Sequence, residues 1–124
     1  MKPILKKLYG YADMEQMIRS AGAWFVGSFT MEILDNYDKL QNQDTKDNFI
    51  FCFHNKYFED MEIHQLRNRI NCIIRIIESN MVEDAMEYVL NSNDEKIGCD
   101  ESKVNAQFLI DLIHSGQQKL ILFD

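Results

Sequence analysis

The side chains that could do chemistry are few, and the tightest group contains Cys52, His54, Glu59 and His64. A nucleophile or a general base needs a partner placed beside it, so His54 or His64 could serve a small enzyme if the fold gathers these residues. Structural zinc usually takes two ligand pairs at short fixed spacing, such as two residues between cysteines, and neither pair is present although Cys52-x-His54 is a local cysteine–histidine cluster. We therefore predict no catalytic residues, no metal and no cofactor, and keep a small enzyme using His54 or His64 as an alternative.

Phosphate and calcium loops are also missing from the sequence. The five glycines never fall closer together than the five-residue step between Gly22 and Gly27, so a glycine-rich loop for a nucleotide phosphate is excluded. The spacing of acidic residues and glycine that forms a calcium loop does not occur either. These exclusions favour a protein that works by binding.

Acidic residues are concentrated in two segments of the chain. The formal net charge is −7, of which residues 32–60 contribute −4 and residues 80–102 contribute −6, while the remaining segments are neutral or basic. This charge repels phosphate backbones, so we predict no direct binding of nucleic acid. It favours a basic protein as the partner, although a moderate negative charge also keeps a small protein in solution.

The candidate partner-binding residues are the carboxylates at two places in these segments. One group lies at a predicted helix start, where the helix dipole stabilises negative charge with or without a ligand. The other lies in a predicted exposed loop at residues 91–101, where folding gives no reason for acidic side chains. The predicted partner-binding residues are Glu59, Asp60, Glu62, Asp94, Glu95, Asp100 and Glu101.

The elements that must position these residues are mainly helices. Apolar residues recur at steps of three and four over residues 14–40, 63–77, 82–90 and 104–113. Gly22 and Gly27 interrupt the first stripe, so two helices with a break there are as well supported as one helix. Asn80 and Ser102 are predicted N-caps, and Gly116 is predicted to end the last helix.

Two short segments of the sequence fit either a helix or a strand. Residues 49–54 alternate Phe with other side chains, which fits a buried strand or the continuation of a helix, and residues 23–30 pose the same question. The apolar tail at residues 120–123 could pair with residues 49–54 as a short two-stranded element. The predicted fold class is thus mainly α, a single small helical domain over residues 1–124 with five or six helices and at most this β element.

The chain as a whole is similar in character to the immunity proteins of bacterial polymorphic and contact-dependent toxin systems. It is small, acidic and mostly helical, and residues 69–93 resemble the stacked helix pairs of helical immunity proteins. This resemblance implies a stoichiometric inhibitor of a basic nuclease toxin, one that acts on RNA, whose cleft is covered by carboxylates in place of nucleic-acid phosphates. A phage-type inhibitor of a nucleic-acid-binding defence complex is the alternative that uses the same charges.

Cysteine use and hydropathy indicate where such a protein works. Three cysteines are an odd number without a disulfide spacing, which is typical of reduced thiols in the cytoplasm. The longest uninterrupted apolar run has five residues, far short of a membrane span. We therefore predict a cytoplasmic protein with no membrane contact. Its predicted partner is a basic protein, and the sequence is compatible with either a monomer or a homodimer.

Overall fold

The computed structural model describes residues 10–92 and 99–121, with the backbone alone for Cys99 and Asp100. Within these ranges the chain forms helices and no strand, which confirms the mainly α fold class. No described helix has both the length and the apolar character needed to cross a bilayer. The helices are α1 (Tyr11–Ala21), α2 (Ala23–Asp35), a 3-10 helix (Tyr37–Leu40), α3 (Gln43–Tyr57), α4 (Ile63–Glu78), α5 (Val82–Asn91) and α6 (Cys99–His114).

Helix α2 is the centre of the fold and packs against α1, α4, α5 and α6. The chain breaks between α1 and α2 at Gly22, whose φ of 97° lies in the left-handed region that favours glycine. Gly27 stays inside α2, where its missing side chain lets the Ser102 backbone of α6 approach closely. The strand alternative for residues 23–30 is therefore wrong, and of the two glycines only Gly22 ends a helix.

Residues 49–54 lie inside α3, so the strand alternative for them is also wrong. The side chain of Asn42 caps α3 by accepting a hydrogen bond from the Asp44 backbone at 2.9 Å. Ile50 and Phe53 then face the core while Phe51 is 55% exposed, which is the burial pattern of a helix. The sequence does not reveal this pattern, because the exposed and the buried positions carry apolar residues alike. Residues 120 and 121 form no strand, and residues 122 and 123 lie outside the described chain.

Helix α4 contributes six buried side chains to the apolar core, which confirms its predicted stripe except at Ile63, which is 40% exposed. Its buried side chains are Leu66, Ile70, Ile73, Ile74, Ile76 and Ile77. Asn80, predicted as the N-cap of α5, instead takes a left-handed φ of 59° after the end of α4. Asn80 and Met81 donate backbone hydrogen bonds to Ile77 and Ile76, both at 3.1 Å, which closes α4 in a Schellman motif.

Helix α6 departs most from its predicted orientation. Ser102 is not its N-cap, because α6 begins at Cys99 and Ser102 is buried against α2 at Gly27. The predicted apolar stripe of α6 is correct at Leu109, which is buried, and at Ile113, which packs against the core, but it is wrong at Val104 and Phe108, which are exposed. The buried side chains that the structure describes in α6 are Ser102, Ala106, Leu109 and Ile110. The predicted stop is confirmed, because Gly116 has a φ of 78° just after the helix.

Candidate functional site

A surface groove of about 470 Å³ lies where α2 and α6 meet the end of α3. One wall is the face of α2 that carries Trp24, Ser28 and Glu32, which recur every fourth residue and so lie in one row. The opposite wall is the first part of α6, with Glu101 and Asn105. The groove depends on the close approach of α2 and α6 at Gly27, because that contact fixes the spacing of its two walls.

The floor of this groove is aromatic. Phe29 contacts Tyr57 and Phe58 with ring centroids 5.0 and 5.4 Å apart, and Trp24 contacts Phe58 at 5.9 Å. These rings meet in tilted and edge-to-face arrangements, which aromatic pairs favour over face-to-face stacking. Tyr57 remains 39% exposed, so part of this aromatic side chain is accessible from the surface.

Carboxylates surround these rings. Tyr57 donates its hydroxyl to Glu32 at 3.0 Å, which holds the Glu32 carboxylate at the groove. A second groove of about 440 Å³ shares Tyr57 and Phe58 with the first and is lined further by Glu59 and Asp60. Three of the predicted partner-binding residues, the neighbours Glu59 and Asp60 and the distant Glu101, therefore line grooves that share two aromatic side chains.

Two cations of the chain already lie against the rings of this groove. The Lys56 ammonium lies 4.8 Å from the Tyr57 ring centroid, and the Arg69 guanidinium lies 5.8 Å from the Trp24 ring. The hydrogen bond with Tyr57 raises the pKa of Lys56, and the negative charge of Glu32 adds to this effect. Arg69 also donates to the Ala21 carbonyl, so it fixes Trp24 beside the end of α1.

The α6 wall continues as an exposed apolar surface. Val104 is 68% exposed and Phe108 is 52% exposed. Positions 101, 104, 105 and 108 share one helix face, so these two side chains lie beside Glu101 and Asn105. We call the combined area of Glu32, Tyr57, Glu59, Asp60, Glu101, Val104 and Phe108 the acidic-aromatic surface.

The other predicted partner-binding residues have different positions. Glu62 is exposed at the N-cap position of α4, with its carboxylate 3.2 Å from His64 Nδ1. Asp94 and Glu95 lie outside the described residues. Asp100 and Glu101 belong to the first turn of α6 and not to an open loop, so the predicted loop ends earlier. The helix dipole favours carboxylates at this turn, as it does at the start of α4.

The two candidate histidines have structural partners. His54 Nε2 donates to the Met61 carbonyl at 2.6 Å, which ties α3 to the turn before α4, while His64 is exposed beside Glu62. Burial raises the pKa of the half-buried Cys72 thiol, which disfavours its nucleophilic thiolate. Over residues 10–92 and 99–121 no three His, Cys, Asp or Glu side chains are grouped to hold a metal ion.

Sequence reasoning missed Glu32 and the exposed positions of Val104 and Phe108. Trp24, Ser28 and Glu32 recur at steps of four residues, which puts an aromatic ring and a carboxylate on one helix face. This spacing could have identified the α2 wall from the sequence. The α6 positions carried no such signal. No family model, no curated protein and no solved structure matches this chain.

Proposed function

We propose that this protein binds and neutralises a basic protein, and that the partner is a nuclease toxin domain acting on RNA, as for an immunity protein. The observation that supports this most is the gathering of Glu59, Asp60 and Glu101 around the exposed Tyr57 ring. The protein acts in the cytoplasm by covering its partner and performs no chemical step of its own.

Electrostatics supports a basic partner. A nuclease binds phosphates through lysine and arginine, so its cleft is a cationic surface of the kind that carboxylates attract. The net charge of −7 and the four carboxylates of the acidic-aromatic surface give this chain the opposite sign. Complementary charge speeds association and selects the partner, and it does so without the protein binding nucleic acid itself.

The apolar side chains on the same surface support a protein partner over a small ion. Interfaces combine buried aromatic side chains with a polar rim, and this surface exposes Tyr57 bonded to Glu32 and Phe108 on the helix face that carries Glu101. Val104 adds an aliphatic contact beside Phe108. A contiguous exposed apolar area next to charge is typical of association sites.

The test begins with identification of the partner and ends with inhibition. The tagged protein captures its partner from host cells, mass spectrometry identifies it, and the purified partner is assayed for RNA cleavage with increasing amounts of this protein. We expect cleavage to stop at a stoichiometric ratio. A captured partner without nuclease activity, such as a subunit of a defence complex, would contradict the immunity assignment and favour the phage-type inhibitor.

A pair of matched variants locates the interaction. The triple change Glu59→Lys, Asp60→Lys and Glu101→Lys removes the proposed contact charges. The control reverses three exposed carboxylates elsewhere, Asp38, Asp84 and Glu87. Each triple change takes the net charge from −7 to −1. Asp84 lies in the first turn of α5 as Glu101 does in that of α6, so both variants lose one favourable helix-end charge.

We expect the first variant to lose inhibition and the control to keep it. Close charge pairs in an interface contribute about 1.5–7 kcal/mol each, so affinity should fall at least about 100-fold. Equal loss in both variants would mean that overall charge, and not this surface, governs binding. Full inhibition by both would contradict the proposal.

A further inference from the structure

The groove between α2 and α6 combines two kinds of group that attract cations. It is lined by the rings of Trp24, Phe29 and Tyr57, and its two walls carry the carboxylates of Glu32 and Glu101 on different helices. Aromatic faces are negative at the centre of the ring and attract a cation within about 6 Å. A carboxylate on each side adds ionic hydrogen bonds that a neutral ligand could not use fully.

The charges that face this groove leave it negative. Lys56 and Arg69 contact its rings, while the carboxylates of Glu32, Glu101, Glu59 and Asp60 line it or its neighbour. Lys56 lies against the Tyr57 ring at the distance of a cation–π contact. The two cations against the four carboxylates of the two grooves leave a net negative charge, which attracts a further positive group.

We infer that this groove receives one arginine side chain of the basic partner, an assignment that rests on the proposed function. A guanidinium is planar, so it stacks on an aromatic ring, and its five N–H donors can reach carboxylates on two walls at once. A lysine ammonium is compact and strongly hydrated, so it uses the ring and one carboxylate less well. Arginine is also among the residues that dominate binding energy in protein interfaces.

The inference can be tested without the partner. Argininamide is titrated into the full chain, with lysinamide and glycinamide as controls at equal ionic strength. Trp24 is the only tryptophan, so its fluorescence and its indole N–H resonance report on this groove directly. We expect saturable changes with argininamide in the millimolar range, weaker changes with lysinamide and none with glycinamide. Equal responses to argininamide and lysinamide, or no response to argininamide, would overturn the inference.

Three variants separate the ring from the charges. Tyr57→Leu keeps an apolar side chain and every charge but removes the aromatic face, so argininamide affinity should fall about fivefold. Tyr57→Phe keeps the face and loses only the hydroxyl bonded to Glu32, so most of the affinity should remain. Phe51→Leu removes an exposed ring on the same helix outside the groove and should change nothing.

These outcomes distinguish this inference from the proposed function. If argininamide does not bind the groove but the Glu59, Asp60 and Glu101 reversals abolish inhibition of the partner, the function stands and the arginine assignment fails. If argininamide binds and Tyr57→Leu weakens it, while no basic partner is found, the groove is an arginine site and the proposed function fails. If Phe51→Leu lost as much argininamide binding as Tyr57→Leu, argininamide would not be binding in the groove at Tyr57, and the inference would be wrong.

Discussion

Helices α4 and α6 both contain 16 residues, and they place their apolar side chains in opposite ways. In α4 the large aliphatic residues after Ile63 face the core, and Ile70 and Ile73 are fully buried. In α6 the buried face combines the small residues Ser102 and Ala106 with Leu109 and Ile110, while Val104 and Phe108 are exposed. One helix uses its large side chains to fold the chain, and the other leaves two of them exposed.

The difference follows from how each helix approaches α2. Ser102 of α6 lies against Gly27, where a Cβ atom would come within 2.8 Å of the Ser102 backbone oxygen. So close a contact admits only a small side chain at this point, where α6 contributes Ser102, and the larger buried residues Leu109 and Ile110 lie further along the helix. Large exposed apolar residues that folding does not use are candidates for binding, and here they lie beside the carboxylates of the acidic-aromatic surface.

Two truncations to alanine, one in α4 and one in α6, should show the largest difference between the two helices. Ile70→Ala should lower the free energy of unfolding by about 2–4 kcal/mol, because it leaves a cavity in the core. Val104→Ala removes a β-branched side chain that is 68% exposed and should cost less than about 0.5 kcal/mol. Urea denaturation measures both. Equal losses would mean that the outer face of α6 packs against something in the folded chain.

The contact between α2 and α6 is tested by Gly27→Ala. The added methyl group would meet the Ser102 oxygen at 2.8 Å and Val89 Cγ1 at 2.9 Å, so the helices must separate at a cost of about 1–3 kcal/mol. Gly10→Ser is the control, because a Cβ there has no atom within 4 Å in the described chain and serine suits an N-cap. A stable Gly27→Ala variant with an unchanged groove would contradict this packing.

The smallest expected effect concerns the end of α6. His114 Nε2 lies 2.9 Å from the Glu83 carboxylate, and this hydrogen bond raises the pKa of His114 above its ordinary 6.5. The stabilisation is thus complete below pH 6.5 and is lost as pH rises through the raised value. His114→Gln should lower the melting temperature slightly at pH 5.5 and have less effect at pH 8.5. A pH-independent difference would show that the pair contributes through packing.

The sequence predicted helices well where one apolar face is continuous, as in α4. It failed where burial contradicts residue type. Phe51 is apolar and exposed, so residues 49–54 look like a strand when read alone. Ser102 is polar and buried, so it looks like a cap. Both errors arise because packing against distant helices, which no local pattern contains, overrides the preference of the residue.

The candidate site was predictable in its chemistry and not in its geometry. Charge distribution alone selected Glu59, Asp60 and Glu101, because acidic residues cluster visibly in the sequence. Their convergence on Tyr57 depends on the close packing of α2 and α6 and on the end of α3. Glu32 joins them through a hydrogen bond across 25 positions of sequence, which no spacing rule anticipates.

The central claim is that the acidic-aromatic surface binds a basic partner, and association kinetics as a function of salt test it most directly. Charge steering is screened by ions, so the association rate of the wild-type chain with its purified partner should fall steeply with salt while dissociation changes little. Reversal of Glu59, Asp60 and Glu101 should remove that dependence, and reversal of Asp38, Asp84 and Glu87 should largely preserve it, with similar melting temperatures for the two variants because each loses one favourable helix-end charge. The same steep dependence in the first variant as in the wild type would contradict the account.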